Sequence, residues 1–142
     1  GFNTFTATKD GAECFTRYGT DVFYSETSTV KITASGGIFD IGDSTLNNLW
    51  ITGNNVEIYG NNTFNDFKID AGLTTLFKEL ETQTVTTFTA IGTLGNVITL
   101  NSKNSTDQFI LSKSSGVVDC DYLNINIYLS LGCVSSIFNG AA

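Results

Sequence analysis

The side chains able to do chemistry are few and mostly acidic. The chain carries 14 Asp and Glu against 7 Lys and Arg and has no His, so the commonest general base and metal ligand is missing. Four carboxylate pairs remain: Asp119 with Asp121, Asp40 with Asp43, Asp66 with Asp70, and Glu79 with Glu81. In a strand, residues i and i+2 point to one face, which sets Asp119 and Asp121 side by side on the outside. A β-helical glycosidase or lyase needs such a carboxylate pair, and so does a calcium ion. The plainer expectation is two solvated acids flanking an inward Cys120. Arg17 is the only arginine, so the rest of the chain lacks the planar cation that clamps an acidic sugar. No Asp-x-Asp-x-Asp-Gly loop and no Gly-Gly-x-Gly-x-Asp repeat occurs, which argues against a calcium site. No catalytic, cofactor-binding or metal-binding residue is assigned.

Cys14, Cys120 and Cys133 are an odd number, widely spaced, with no C-x-x-C pair, so neither a zinc site nor a disulfide framework is expected. At most one bridge can form, and the sequence leaves open which pair, if any, makes it. Cys120 reads as a small buried hydrophobe; its neighbours Asp119 and Asp121 would raise its pKa, the opposite of what a nucleophile needs. Thr-x-Thr runs at residues 4–8, 82–84 and 87–89 suggest an ice-binding array. They do not recur once per repeat, so the β-propensity of Thr explains them better. Trp50, Tyr59 and Tyr128 could stack on sugar rings if they face outward. Trp50 alternates with Leu49 and Ile51 and is expected in the core.

The elements that must position these groups are strands. With 142 residues and 15.3 kDa the chain has room for one domain. Charged residues make up 15%, below the share of an ordinary soluble domain, while Thr, Ser, Asn and Gly fill about 61 positions. The net charge of −7 is the wrong sign for a phosphate backbone, so no nucleic-acid partner is expected. No apolar run is long enough to span a membrane as a helix. The missing Met and the lack of a signal-like opening point to a processed chain or fragment, soluble, with any leader removed.

Short runs of Val, Ile, Phe, Tyr and Thr alternate with clusters of Gly, Asn, Ser and Asp, the pattern of strands between turns. Leu73, Leu76, Phe77 and Leu80 fit a helical stripe, yet the surrounding Thr residues favour a strand or irregular segment. The apolar runs are also evenly spaced. One series holds Leu49-Trp50-Ile51, Phe67-Lys68-Ile69, Phe88-Thr89-Ala90-Ile91 and Phe109-Ile110-Leu111. The other holds Ile38-Phe39-Asp40-Ile41, Val56-Glu57-Ile58, Leu76-Phe77, Val97-Ile98-Thr99-Leu100 and Val117-Val118. Both step by about 18 to 21 residues, as stacked turns of a parallel β-solenoid require.

Gly and Asn fall between the runs, where the chain must turn and positive φ is needed. The absence of Pro suits strands that hydrogen bond on both sides. A β-sandwich or jelly roll has a similar composition and is the alternative, although tight-hairpin Asn-Gly and Asp-Gly pairs occur only near the ends. Val118, Cys120 and Tyr122 alternate in one phase and Leu123, Ile125, Ile127 and Leu129 in the other, which places a bend near Tyr122-Leu123. Residues 1–30 join the repeat poorly and are assigned as an N-terminal cap or docking segment. The solenoid covers 31–129, and 130–142 form a C-terminal cap or contact segment.

The phrases Asn62-Thr63-Phe64-Asn65-Asp66-Phe67-Lys68-Ile69, Gln83-Thr84-Val85, Phe88 to Thr93, Gly95 to Leu100 and Ser112 to Leu123 resemble repeat modules of large β-helical surface proteins, found in bacteriophage structural and tail proteins and in bacterial secreted adhesin-like proteins. The resemblance covers roughly residues 60–127 as a loose order of phrases. It implies a right-handed parallel β-helix in a virion or extracellular setting, and it carries over no catalytic residue. The expected function is a non-enzymatic structural or adhesive component of such an assembly, a phage tail fibre, appendage or decoration protein. Its expected partners are copies of itself, neighbouring virion or surface proteins, or host glycans. The alternative is a carbohydrate-binding or polysaccharide-depolymerising tailspike-like β-helix with Asp119 and Asp121 as its acids.

Overall fold

The computed structural model describes residues 3–9, 11, 13–17, 26–104, 106–113, 115 and 118–126. It is all-β, and no helix occurs among the described residues. The strands are β1 (Thr4–Ala7), β2 (Glu13–Thr16), β3 (Thr29–Ile32), β4 (Ile38–Asp40), β5 (Thr45–Ile51), β6 (Val56–Tyr59), β7 (Thr63–Ile69), β8 (Thr74–Phe77), β9 (Thr82–Ile91), β10 (Ile98–Ser102), β11 (Ile110–Lys113), β12 (Val118–Asp121) and β13 (Leu123–Asn126). One sheet runs β1-β3-β5-β7-β9, with β11 and β12 both pairing β9; the other runs β13-β10-β8-β6-β4-β2.

Every pairing between these strands is parallel. From β1 to β10 the chain changes sheet at each strand, so each strand pairs with the one two places on. Parallel neighbours cannot be joined by tight hairpins, which is why Asn-Gly and Asp-Gly turns are scarce. The β-sandwich alternative, built from antiparallel sheets, does not hold for these strands.

The longest strands owe their shape to a break in the alternation. Leu46 and Leu49 are both buried with two Asn residues between them, Phe64 and Phe67 with Asn65 and Asp66, and Val85 and Phe88 with Thr86 and Thr87. Strict alternation would turn the second apolar residue outward. The extra residue keeps both inside and divides each strand into two arms. In β9 the first arm pairs with β11 and the second with β12.

Inward side chains line up in files across the sheets. One file is Phe5, Val30, Leu49, Phe67, Phe88 and Val118. Its inner members Val30, Leu49, Phe67 and Phe88 are 0–1% exposed. Rings fill the space between the sheets: Phe67 reaches Phe77 on the facing sheet at 6.2 Å, and within its own sheet lies 5.1 Å from Phe64 and 5.6 Å from Phe88, while Phe77 stacks on Phe109 at 4.5 Å. Each such buried ring contributes about 1.5–3 kcal/mol, and tilted or edge-on pairs add to it.

The register corrects the spacing expected beyond residue 91. Thr29 pairs Asn48, Thr45 pairs Thr63 and Thr63 pairs Thr84, steps of 19, 18 and 21, as the sequence suggested. Thr74 pairs Thr99 and Ile98 pairs Leu123, steps of 25, while Phe88 pairs Val118, a step of 30. Val118 therefore belongs to the first series rather than the second. The run Phe109-Ile110-Leu111 stacks on the first arm of β9 rather than on Phe88. Longer connections after β8, β9, β10 and β11 absorb the extra residues.

The turns follow the expected chemistry. Gly60 adopts φ +87°, where a side chain is strained. At Gly53 a Cβ would sit 2.1 Å from the Ala34 carbonyl oxygen, so the backbones approach too closely for any other residue. Tyr122 adopts φ +44° between β12 and β13, the bend expected there, and Val118, Cys120, Leu123 and Ile125 on its two sides all pack against the core. The segment Leu73 to Glu81 holds a strand, β8 (Thr74–Phe77), followed by a turn in which Leu80 takes φ +62° and is 70% exposed. Within the segment assigned as an N-terminal cap, β1 and β2 already lie in the two sheets. Stacking thus begins before the boundary at residue 30. The C-terminal segment 130–142, together with Ile127, Tyr128, Leu129 and Cys133, lies outside the described residues.

Candidate functional site

The carboxylates singled out in the sequence are held at turns and on outer faces, mostly by backbone amides. The Gly60-Asn61 turn shows how. The Gly60 N–H donates to Glu81 Oε2 at 2.6 Å and the Asn61 N–H donates to Asp43 Oδ1 at 2.6 Å. Asn61 Oδ1 in turn accepts the Thr82 N–H at 2.9 Å. Asp40 Oδ1 accepts the Gly42 N–H at 3.1 Å. Consecutive turns are thereby tied along the stacking direction, at backbone amides that the parallel ladders leave over.

Behind this turn lies a buried amide pair. Asn62 Nδ2 donates to the Tyr59 and Gly60 carbonyls at 2.8 and 3.1 Å and to Gln83 Oε1 at 3.0 Å, while Gln83 Nε2 donates to Gly60 O at 2.8 Å. Burial pushes the Glu81 carboxyl above the usual range, opposed by the Gly60 N–H and supported by the negative charge of Asp43. Glu79 is 8% exposed. Burial alone would raise its carboxyl, but its own backbone N–H, Lys78 at 3.0 Å and the Asn104 N–H together hold it below the usual range. These acids are committed as acceptors for backbone and lysine, which suits holding turns in place and leaves neither as a solvent-facing proton donor.

Asp119 and Asp121 are where the sequence placed them. Both are exposed on β12 with Cys120 half-buried between them. Asp121 Oδ1 accepts the Tyr122 N–H at 2.9 Å, and no ion pair involves either acid among the described residues. Burial, and then the charge of Asp119, push the Cys120 thiol up, against a hydrogen bond from the Ala90 backbone. Burial also pushes up the Cys14 thiol, which donates to Ile38 O at 3.3 Å. Both are free thiols, protonated near neutral pH and poor nucleophiles. Among the described residues no cluster of three or more His, Cys, Asp or Glu is arranged to hold a metal.

Trp50 corrects the expectation of a core tryptophan. Leu49 and Ile51 are buried and Trp50 faces outward. Its Nε1–H donates to Asp70 Oδ1 at 2.8 Å. From the strands on either side, the Lys31 and Lys68 ammonium groups lie 4.1 and 4.5 Å from its ring centroid. Lys68 also pairs with Asp70 at 3.7 Å. The clue in the sequence was the repeat itself, because Trp50 and Lys68 occupy the same place in their three-residue phrases and a Lys there faces water. Thr6, Lys31, Trp50, Lys68, Thr89 and Asp119 form one outward file, so Thr6 and Thr89 are separated by three large side chains and make no flat Thr array.

On the other sheet Glu57, Tyr59 and Lys103 form a second surface cluster. The Tyr59 hydroxyl donates to Glu57 Oε2 at 3.0 Å and Lys103 Nζ lies 2.7 Å from that oxygen. The Glu57 carboxylate and the Tyr59 hydroxyl hold the Lys103 ammonium well above the usual lysine range. Tyr59 is covered by Lys103, 5.0 Å from its ring centroid, so two of the aromatic rings that sequence reading offered to sugars, Trp50 and Tyr59, are already occupied by lysines, and the third, Tyr128, lies outside the described residues.

Comparison of the chain with protein-family models, with curated proteins and with solved structures gives no match.

Proposed function

We propose that the chain is a right-handed parallel β-helix serving as a non-enzymatic structural or adhesive component of a virion or extracellular surface assembly. The observation that carries this reading is the parallel pairing of strands from successive passes of the chain, in two sheets that run from β1 to β13 around one apolar core. Such a stack is stiff along its axis and quasi-one-dimensional. Its side-chain chemistry supports the same reading, since Asp40, Asp43, Glu79 and Glu81 are spent on turns, and Trp50 and Tyr59 on lysines. The resemblance of residues 60–127 to repeat modules of phage structural proteins and secreted adhesin-like proteins supports the setting. The outer faces, rich in uncharged Thr, Asn and Ser, would contact neighbouring subunits, other surface proteins or host glycans.

The test is incubation of the purified chain with capsular and cell-wall polysaccharides. The structural reading expects no new reducing ends. New reducing ends that disappear in Asp119→Ala would overturn it in favour of a tailspike-like depolymerase acting through Asp119 and Asp121.

A further inference from the structure

The apolar file Phe5, Val30, Leu49, Phe67, Phe88 and Val118 is sealed in its middle and open at its ends. Its four inner members are 0–1% exposed, whereas Phe5 is 50% exposed and Val118 is half-buried. Phe5 lies on β1 and Val118 on β12, and each strand has a single sheet neighbour among the described residues. A strand edge of this kind is a template for another strand. Because every pairing is parallel, the free edge of β1 and the free edge of β12 run in the same direction. A copy translated along the stack would set its β1 beside β12 in the parallel pairing already used six times in this sheet. Parallel pairing of this kind joins two different edges, β12 of one copy to β1 of the next.

Charge agrees with that fit. Continuing the register places Asp119 against Thr6 and Asp121 against Thr8 of the next copy, next to its exposed Lys9. Both acids are exposed and free of ion pairs among the described residues, as is Lys9. We propose that a second copy of this chain docks head to tail, its β1 edge adding to the β12 edge of the first, so that the file continues from Val118 to the neighbour's Phe5. Such a contact is heterologous and extends to an open filament. This deepens the structural reading above, rests on it, and names its first partner.

An inward-pointing lysine on an edge strand blocks pairing, which gives a test by sedimentation velocity over a dilution series. The unaltered chain is expected to form a concentration-dependent ladder of multiples of 15.3 kDa. Phe5→Lys and Val118→Lys are each expected to stay monomeric alone, because each has lost one edge. Mixed together they should form a 1:1 dimer and nothing larger, through the one intact edge of each. Circular dichroism and thermal unfolding verify the fold. If Val118→Lys fails to fold, the exposed double variant Asp119→Lys/Asp121→Lys serves in its place, with association expected to weaken roughly tenfold. An unaltered chain that is monomeric at every concentration overturns the proposal, with other residues of the same chain then covering the edges. Self-dimerisation of Phe5→Lys also overturns it, in favour of a symmetric contact. Either failure leaves the non-enzymatic reading standing, because that is decided by the polysaccharide assay.

Discussion

Asp43 and Glu81 grip one turn from opposite sides. They come from the repeats before and after Gly60-Asn61 and accept its two consecutive backbone N–H groups, each at 2.6 Å. A carboxylate that bonds a backbone N–H contributes more than a neutral acceptor does, and its loss leaves the donor without its partner. Glu81→Ala is expected to cost about 1–3 kcal/mol in urea unfolding. Asp43→Asn keeps an acceptor and tolerates the positive φ of that position, so it should cost less, about 1 kcal/mol. Equal and negligible costs would mean that the ladders hold the turn without this clamp.

Glu79 and Glu81, both in the turn after β8, should respond to pH in opposing ways. Glu81 has its carboxyl raised by burial, so its contribution to stability is fully present below the ordinary Glu range and is lost as pH rises through the raised value. Glu79 is held low, so its contribution is present above the ordinary range and is lost as pH falls through the lowered value. In thermal unfolding across acid pH, Glu81→Gln should remove the destabilisation seen on raising the pH. Glu79→Gln should flatten the loss seen at the acid end. Opposite assignments would contradict the burial and bonding described for the two acids.

Trp50 offers a direct optical check, because it is the only tryptophan. Its fluorescence should be partly accessible to acrylamide and should respond when Lys31 or Lys68 is replaced by Ala. Each lysine replacement is expected to cost about 0.5–1 kcal/mol through the lost contact with the ring. Complete protection from the quencher would return Trp50 to the core.

Thr75 is fully buried and its Oγ1 has no hydrogen-bond partner. Its file holds Val56, Leu100 and Ile125, all apolar. Thr75→Val keeps the shape and removes an unsatisfied hydroxyl, so the midpoint of urea unfolding should rise by the equivalent of about 1 kcal/mol. By contrast Phe67→Ala, which deletes the ring that touches Phe64, Phe77 and Phe88, should cost about 3–5 kcal/mol. A destabilised Thr75→Val would show that the hydroxyl is satisfied in solution.

Much of the repeat was legible because side-chain periodicity reports burial directly. The 18 to 21 residue steps between Thr29 and Ile91, the Gly and Asn corners and the reversal of phase at Tyr122 could all be read from the chain. The later steps of 25 and 30 were hidden because the added residues lie in turns, which burial does not constrain. Val118 then had two apolar partners at plausible spacings, and only the two-armed shape of β9 decides between them. Trp50 was misplaced because size favoured the core while the repeat position, shared with Lys68, favoured water. The carboxylates were visible as pairs, but pairing along the sequence hid their real partners, which are backbone amides one repeat away.

The most direct test of this account is an experimental density map fine enough to place side chains. It should show Val30, Leu49, Phe67, Phe88 and Val118 in one file, on parallel strands about 4.8 Å apart. Antiparallel neighbours, or Phe109 in place of Val118 beside Phe88, would contradict it.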